Sequence, residues 1–355
     1  MKAMVIRAFG GPEVMRFESV PDPVPGPDEV LVRVGAVSVN YTLDVTVRSG
    51  RYGRGTTLPH VLGVDPSGTV EAVGSAVTRF KVGDRVSAVS SGLPCGACPA
   101  CTSGNETECE SLRMLGVHRW GGYAELVALP ERGVYRIPDN LDFVDATVIL
   151  RHFPTARNLL ANKAKLQPGE TVLVMGAAGG LGSSLIQTAR VMGAKVIAAA
   201  GSDERVAAAL PFGAEHGINY RAADMAARVM ELTGGKGVQV VCENIADPVL
   251  WPKAIESLAK RGRLVTAGAH GGGTVPLDVR RLYLWNLTIM GAPGSGPPEY
   301  QWSIDMAAEG RIRPALIDRV MPLHEAVDAH RLMEGRSPLG KIVLDPGRSA
   351  GASTA

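Results

Sequence analysis

Four thiols stand within fifteen residues of one another: Cys95, Cys98, Cys101 and Cys109, in the spacing Cys-x2-Cys-x2-Cys-x7-Cys. Thiolates so spaced suit a closed tetrahedral zinc with no position left for substrate, so the metal expected here is structural. Disulfides would need an oxidising compartment, whereas an iron–sulfur cluster could use the same four ligands. We expect one zinc per chain, stapling a lobe at about residues 91–113 that is too polar to fold by burial alone. The fifth cysteine, Cys242, lies in an apolar strand and reads as an inert core thiol.

A second constellation is the run Gly176-Ala177-Ala178-Gly179-Gly180-Leu181-Gly182, preceded by the apolar Thr171-Val172-Leu173-Val174-Met175 and followed by a helical pattern. In that strand–turn–helix setting, backbone amides at the helix start face a pyrophosphate, and the glycines let ligand and backbone approach closely. The second strand ends Ala199-Ala200-Gly201-Ser202, where an NAD site would carry an acid for the ribose hydroxyls. Ser202 and Arg205 offer a 2′-phosphate a hydroxyl and a cation, so NADP(H) is favoured over NAD(H); Asp203 and Glu204 next door count against this if they turn inward.

These sites need two kinds of scaffold. Up to about residue 135 the chain reads as short strands, at 29–37, 68–73, 85–87 and 123–129, joined by loops. From about 143 strands and helices alternate, which implies parallel βαβ units. Length and composition agree with a two-domain globular protein: 355 residues, 45% hydrophobic and 20% charged, with a net charge of only +2 that suggests neither nucleic acid nor a solvating tail. A small-molecule substrate is the expected partner. Residues 1–7 read as a strand rather than a leader, and the most apolar stretch, 191–200, is broken by Lys195, so we expect no membrane span and a cytoplasmic location. Residues 346–355 read as a frayed tail.

Together with the cysteine lobe and the glycine turn, six further segments carry a resemblance. They are Gly10-Gly11-Pro12-Glu13-Val14, Gly63-Val64-Asp65-Pro66-Ser67-Gly68, Val82-Gly83-Asp84-Arg85-Val86, Gly121-Gly122-Tyr123-Ala124-Glu125, Ile218-Asn219-Tyr220 and Gly340-Lys341-Ile342-Val343. The chain resembles the medium-chain dehydrogenase/reductase superfamily over nearly its whole length. The resemblance implies an α/β protein with a GroES-like, mainly β catalytic domain at 1–154 and 293–355 and a doubly wound Rossmann domain at 155–292. It also implies hydride transfer, cofactor contacts extending to Asn244, Ala267, Gly268 and Lys341, and a homodimer joined through a strand at 284–291.

Zinc alcohol dehydrogenases of that family hold a catalytic metal with a Cys near the first helix, a His in a Gly-His-Glu turn and a third ligand on the helix leading to the Rossmann domain. Here Asn40 or Tyr41, Val64 and Arg151 stand at those places, one extra residue between Ser38 and Asp44 blurring the register, and no catalytic zinc is expected. The pattern is similar to the quinone oxidoreductase and enoyl-reductase branch, with Asn, Asp and Tyr in the region of Asn40, Asp44 and Tyr52. That branch ordinarily lacks the cysteine lobe, which makes this chain a hybrid. Its NADPH site uses a Ser, a basic residue and a Tyr, which map to Ser202, Arg205 and Tyr220.

Without a Lewis acid, an oxygen that gains charge needs hydrogen-bond donors, a demand that C=C or quinone reduction meets more easily than alcohol oxidation. The candidates are Asn40, Tyr41 and Tyr52 for orientation and oxygen contact, with His118 and His152 as proton donors. Each has a structural alternative: a turn former for Asn40, a core aromatic for Tyr41, a loop residue for Tyr52, a hairpin for His118 and a satisfied helix-start histidine for His152. Three functions stay open: an NADPH-dependent reductase of an activated C=C bond or quinone, a metal-free alcohol dehydrogenase or carbonyl reductase, and a non-catalytic NADPH-binding protein.

Overall fold

Val30, Leu31, Val32, Val34, Ala36 and Val37 make residues 29–38 apolar on both faces, as a strand covered on both sides requires, and they form the long strand Glu29–Ser38. The computed structural model describes residues 1–348 apart from 54, 89–92, 105–107 and 293. The expected tail therefore lies, from 349 onward, outside the described residues, as do parts of the expected lobe. Glu29–Ser38 pairs antiparallel with Ser67–Val73, Leu126–Pro130 and Lys341–Asp345, so residues far apart in sequence meet at its C-terminal end. A smaller antiparallel sheet joins Met15–Ser19, Lys2–Ile6 and His60–Val61. Val5, Ile6, Val32, Leu62, Tyr123 and Ile342 belong to the core they share.

A second sheet is parallel throughout, in the order His216–Asn219, Lys195–Ala200, Thr171–Met175, Val238–Glu243, Leu258–Thr266, Thr288–Gly291. Numbered along the chain this is 3-2-1-4-5-6, the order of a Rossmann dinucleotide fold, with the reversal between Thr171–Met175 and Val238–Glu243. The chain divides into two compact units, Met1–Arg151 with Gly296–Ala355, and His152–Ser295. The expected boundaries were 1–154 with 293–355, and 155–292.

Five strands escaped the sequence reading: Met15–Ser19, His60–Val61, Val134–Arg136, His216–Asn219 and Ile317–Pro322. Each is the edge of its sheet, where Arg16, Glu18, His216, Asp318 and Arg319 are tolerated and blur the apolar signal. The expected strand at 284–291 is shorter: Leu284 ends the helix Val279–Leu284, and pairing begins at Thr288. The helix expected at 183–192 starts earlier, at Gly180, inside the glycine run.

Candidate active site

The extra residue expected between Ser38 and Asp44 falls where the backbone widens: Tyr41–Val45 is a π-helical turn in which the Val45 N–H reaches back five residues to the Asn40 carbonyl at 3.3 Å, directly before the helix Thr46–Arg48. Asn40, just before the turn, is 3% exposed and its amide is fully engaged. Its Oδ1 accepts from Lys341 Nζ at 2.7 Å and Arg151 Nε at 3.2 Å, and its Nδ2 donates to Asp65 Oδ2 at 3.0 Å and the Ser38 carbonyl at 3.2 Å. Asp65 also accepts from the Ser38 N–H at 2.9 Å and the Ser38 hydroxyl at 2.6 Å. Asn40 was expected to contact substrate oxygen; with both ends of its amide occupied it positions Lys341, Arg151 and Asp65 instead. Lys341, assigned to the cofactor from sequence, has its ammonium in this cluster, donating also to the Val39 carbonyl at 2.9 Å.

Asp44 is wholly buried within the π turn and accepts from the backbone N–H groups of Asn40, at 2.8 Å, and Gly63, at 3.1 Å. Burial and the neighbouring Asp65 carboxylate outweigh these donors and Lys341, and raise its pKa to about 7. Behind it a directional chain runs through the core. Arg48 can only donate, so His330 Nδ1 accepts from it at 2.9 Å, His330 Nε2 carries the proton and donates to the Tyr123 hydroxyl at 3.1 Å, and Tyr123 donates to Asp44 at 3.3 Å. Burial, reinforced by Arg48, pushes His330 down to about 3, consistent with a neutral ring.

Two expected residues meet at Met114. The Tyr52 hydroxyl donates to its sulfur at 3.3 Å, and its N–H donates to His118 Nδ1 at 2.9 Å. A neutral His118 accepting there bears its proton on Nε2. Tyr52 also lines a cavity of about 170 Å³ with Phe9, Val47, Gly50, Gly53 and Thr56. Tyr41 is half-buried in the π turn. His152, expected as a proton donor, lies against the glycine turn, where a Cβ on Gly180 would stand 2.4 Å from its Nε2.

Gly176 adopts φ +65°, and a Cβ on Gly182 would fall 2.2 Å from the Gly176 carbonyl oxygen, so the turn closes onto its helix only with glycine at both places. Gly179 caps the helix Gly180–Val191, whose first amides, including those of Gly180, Leu181 and Gly182, have no partner within the helix. Ala178 lies in the turn itself. Asn244, at the strand-order reversal, donates to the Met175 carbonyl at 3.4 Å, while its Oδ1 is buried with no hydrogen-bond partner among the described residues. Ala267 follows the next strand, and Gly268 packs on the Asn244 backbone, its Cβ position 2.8 Å from that carbonyl. An orphaned acceptor, an open helix start and glycine clearance at one sheet end fit a dinucleotide.

At the end of Lys195–Ala200, Ser202 caps the next helix by accepting the Arg205 N–H at 3.3 Å. Asp203, which could have repelled a phosphate, accepts from Asn219 Nδ2 at 2.9 Å. Tyr220 and Arg221 flank Gly201, with the Tyr220 hydroxyl and Arg221 Nε 3.1 and 3.4 Å from its Cβ position. Burial raises the Tyr220 pKa against the pull of Arg221 and Arg205. Arg221 was missed from sequence, although it directly follows the motif Ile218-Asn219-Tyr220; among the described residues it forms no ion pair.

The four clustered cysteines converge, with all sulfurs within 4.8 Å of one another. Four sulfurs about 2.3 Å from a tetrahedral zinc stand about 3.8 Å apart. Cys95 to Cys101 is 3.9 Å and Cys98 to Cys101 is 3.5 Å. The backbone N–H groups of Ala97 and Cys98 draw the Cys95 thiol down to about 6, whereas burial and the adjacent sulfurs push Cys101 up to about 12. A dication would let all four ionise, so the donor set fits the group. Cys242 is wholly buried, and burial pushes its thiol up.

Residues 26–139 match the alcohol dehydrogenase GroES-like domain, and residues 180–309 match the zinc-binding dehydrogenase domain. The chain is 33% identical to a quinone oxidoreductase of Pseudomonas aeruginosa, across 97% of this chain and 99% of that protein. It is 32% identical to a 2-haloacrylate reductase of a Burkholderia species, across 97% and 98%. A crystal structure of an NAD-dependent alcohol dehydrogenase superposes with a TM-score of 0.91 at 38% identity, across 98% of this chain and all of that one. Fold, motifs and relatives coincide: the chain is an oxidoreductase of the medium-chain dehydrogenase/reductase superfamily.

Proposed function

We propose that the chain is an NADPH-dependent reductase that delivers hydride to an activated C=C bond or a quinone, without a catalytic zinc. The observation that carries this reading is the environment of Asn40. Lys341 and Arg151 offer no lone pair, would repel a dication, and already occupy the amide oxygen, while both Asp65 oxygens hold hydrogen bonds. That donor set does not fit a catalytic zinc. The names of the quinone oxidoreductase and the 2-haloacrylate reductase support the same chemistry.

Bound NADPH would supply the hydride. The glycine turn would hold its pyrophosphate, and Asn244 its orphaned acceptor for the nicotinamide end. Arg205, Tyr220 and Arg221 would surround the 2′-phosphate, with Asp203 held away by Asn219. On the substrate side, the Tyr52 hydroxyl gives up only a weak sulfur acceptor when it turns to a substrate oxygen, and His118 has its proton on the nitrogen that could donate it. Tyr41 would orient the substrate.

No helix among the described residues is long and apolar enough to cross a membrane, and the five cysteines are free thiols, in keeping with a reducing cytoplasm. We place a homodimer contact at the edge strand Thr288–Gly291, beside Val279, Tyr283 and Leu284, each at least 60% exposed.

A second reading, alcohol or carbonyl chemistry, is favoured by the cysteine lobe and by the name of the structural neighbour. The test is NADPH consumption with an enone, a quinone and a simple ketone. Turnover of the enone or quinone is expected; turnover of the ketone alone would replace the first reading with the second.

A further inference from the structure

We infer that the cavity of about 170 Å³ beside Tyr52 is a slot for one flat six-membered ring and that Phe9 sets its size, so that the substrate is a monocyclic quinone or cyclic enone rather than a fused-ring one. The inference rests on the reductase reading and narrows its substrate class.

The slot is built on one short helix. Tyr52 is fastened to the helix Thr46–Arg48 by its N–H, which donates to the Thr46 carbonyl at 3.2 Å, and Val47 of that helix lines the cavity. The segment carrying Phe9 is fastened to the same helix: the Gly10 N–H donates to the Arg48 carbonyl at 3.0 Å, and Arg48 Nε donates back to the Gly10 carbonyl at 3.2 Å. Arg48 is itself buried and held by His330 at 2.9 Å and Glu334 at 2.6 Å. The backbones that carry Phe9 and Tyr52 are therefore kept at a fixed separation, and a pocket with fixed walls tells ligands apart by a few carbon atoms.

The lining matches a ring in shape and polarity. Gly50, Gly53 and Gly55 present backbone without side chains. A Cβ on Gly53 would meet nothing within 4 Å, whereas one on Gly50 would stand 3.2 Å from Cβ and Cγ of Phe9, so glycine at 50 lets Phe9 pack down on the loop. Phe9 remains 44% exposed, an uncovered aromatic face that a flat ring would bury. Two donors adjoin the slot for the ring's oxygen: the Tyr52 hydroxyl, given to the Met114 sulfur, and His118, whose Cδ2 is 3.9 Å from the Cβ position of Gly55. The volume decides the size. Pockets for drug-sized ligands run to about 300–1,000 Å³, and at a packing density of about 0.75 the atoms filling this one occupy about 130 Å³, one ring with its substituents and not two fused rings. Val47 belongs to the core and Tyr52 serves the substrate oxygen, which leaves Phe9 as the large lining side chain that can vary.

The experiment measures binding of phenol and 2-naphthol, one ring and two, to the full-length protein saturated with NADPH, by ligand-observed NMR titration in wild type, Phe9→Ala and Phe9→Trp. A site without a size limit favours the larger, more apolar 2-naphthol by about tenfold or more. Wild type should bind phenol at least as tightly as 2-naphthol. Phe9→Ala should invert the order, with 2-naphthol favoured by about tenfold, and Phe9→Trp should weaken both ligands by about tenfold. A wild-type preference for 2-naphthol overturns the slot, as does a ratio that moves less than about threefold in Phe9→Ala or, should that variant unfold, unchanged phenol affinity in Phe9→Trp. The reductase reading is scored separately by NADPH consumption with 1,4-benzoquinone and cyclohex-2-enone in wild type. Turnover without the phenol preference loses only the slot; the phenol preference without turnover keeps the ring site and loses the reductase.

Discussion

Replacing Asn40 by alanine removes an amide that joins four partners in a site 3% exposed. Three of those hydrogen bonds go to charged groups, and the two shorter ones, with Lys341 and Asp65, contribute about 1.5–3 kcal/mol each. Arg151 has further donors and Ser38 keeps its contact with Asp65, so their losses are smaller. The sum is about 4 kcal/mol, in the range for breaking a buried charged network. For a unit of about 150–250 residues each kcal/mol moves Tm by about 2–4 °C, so differential scanning calorimetry should show a drop of about 10 °C in the transition of the unit that contains Asn40. A sharper version transposes the two side chains. Asn40→Asp alone sets a carboxylate against Asp65, but with Asp65→Asn the new Asp can accept from Lys341 and Arg151 while the new Asn donates to it. The double variant should recover at least about 2 kcal/mol relative to the sum of the single changes. A drop below about 2 °C in Asn40→Ala, or strict additivity in the pair, would refute the view of this amide as the hub.

Arg221→Ala should weaken NADPH binding by about tenfold or more, one charge-assisted hydrogen bond to phosphate, and leave NADH binding within about twofold; equal losses for both would place Arg221 elsewhere. Metal analysis should return one zinc per chain. Chelation should open the lobe to proteolysis, because among its described residues, 93–104 and 108–113, only Leu93 and Cys109 are buried. The core sheets should stay folded. The pH dependence of stability has two opposed sources. The Asp44 carboxyl, raised to about 7, takes up a proton in the native state and favours folding as pH falls from about 7 toward 4; His330, lowered to about 3, leaves the proton to the unfolded chain and disfavours folding from about 6.5 toward 3. Wild type should therefore be nearly flat between about pH 4 and 6.5. Asp44→Asn should expose the His330 slope, about 1.4 kcal/mol lost per pH unit on acidification, and identical slopes in denaturant titrations of the two proteins would contradict the assignment.

The sequence was legible where chemistry and packing impose a local pattern. The glycine turn announces itself because strand, turn and helix are contiguous, and the cysteine lobe because its ligands are close in sequence. The Asn40 cluster is different: Ser38, Asp65, Arg151 and Lys341 come from four separate segments, and only the pairing of Glu29–Ser38 with Ser67–Val73 and Lys341–Asp345 brings three of them together. Asn40 therefore looked like a ligand to substrate when it is a ligand to other side chains. The tie between Arg48 and His330 spans 282 residues and left no sequence signal at all.

The proposed reductase transfers hydride from NADPH to a conjugated carbon and carries a single zinc. The most direct measurement is a single turnover of the one-zinc protein with NADPH deuterated at the transferable position and a conjugated enone, with the product read by NMR. Deuterium at the β-carbon is the predicted result. Deuterium on the carbinol carbon, or a requirement for a second equivalent of zinc, would contradict the account.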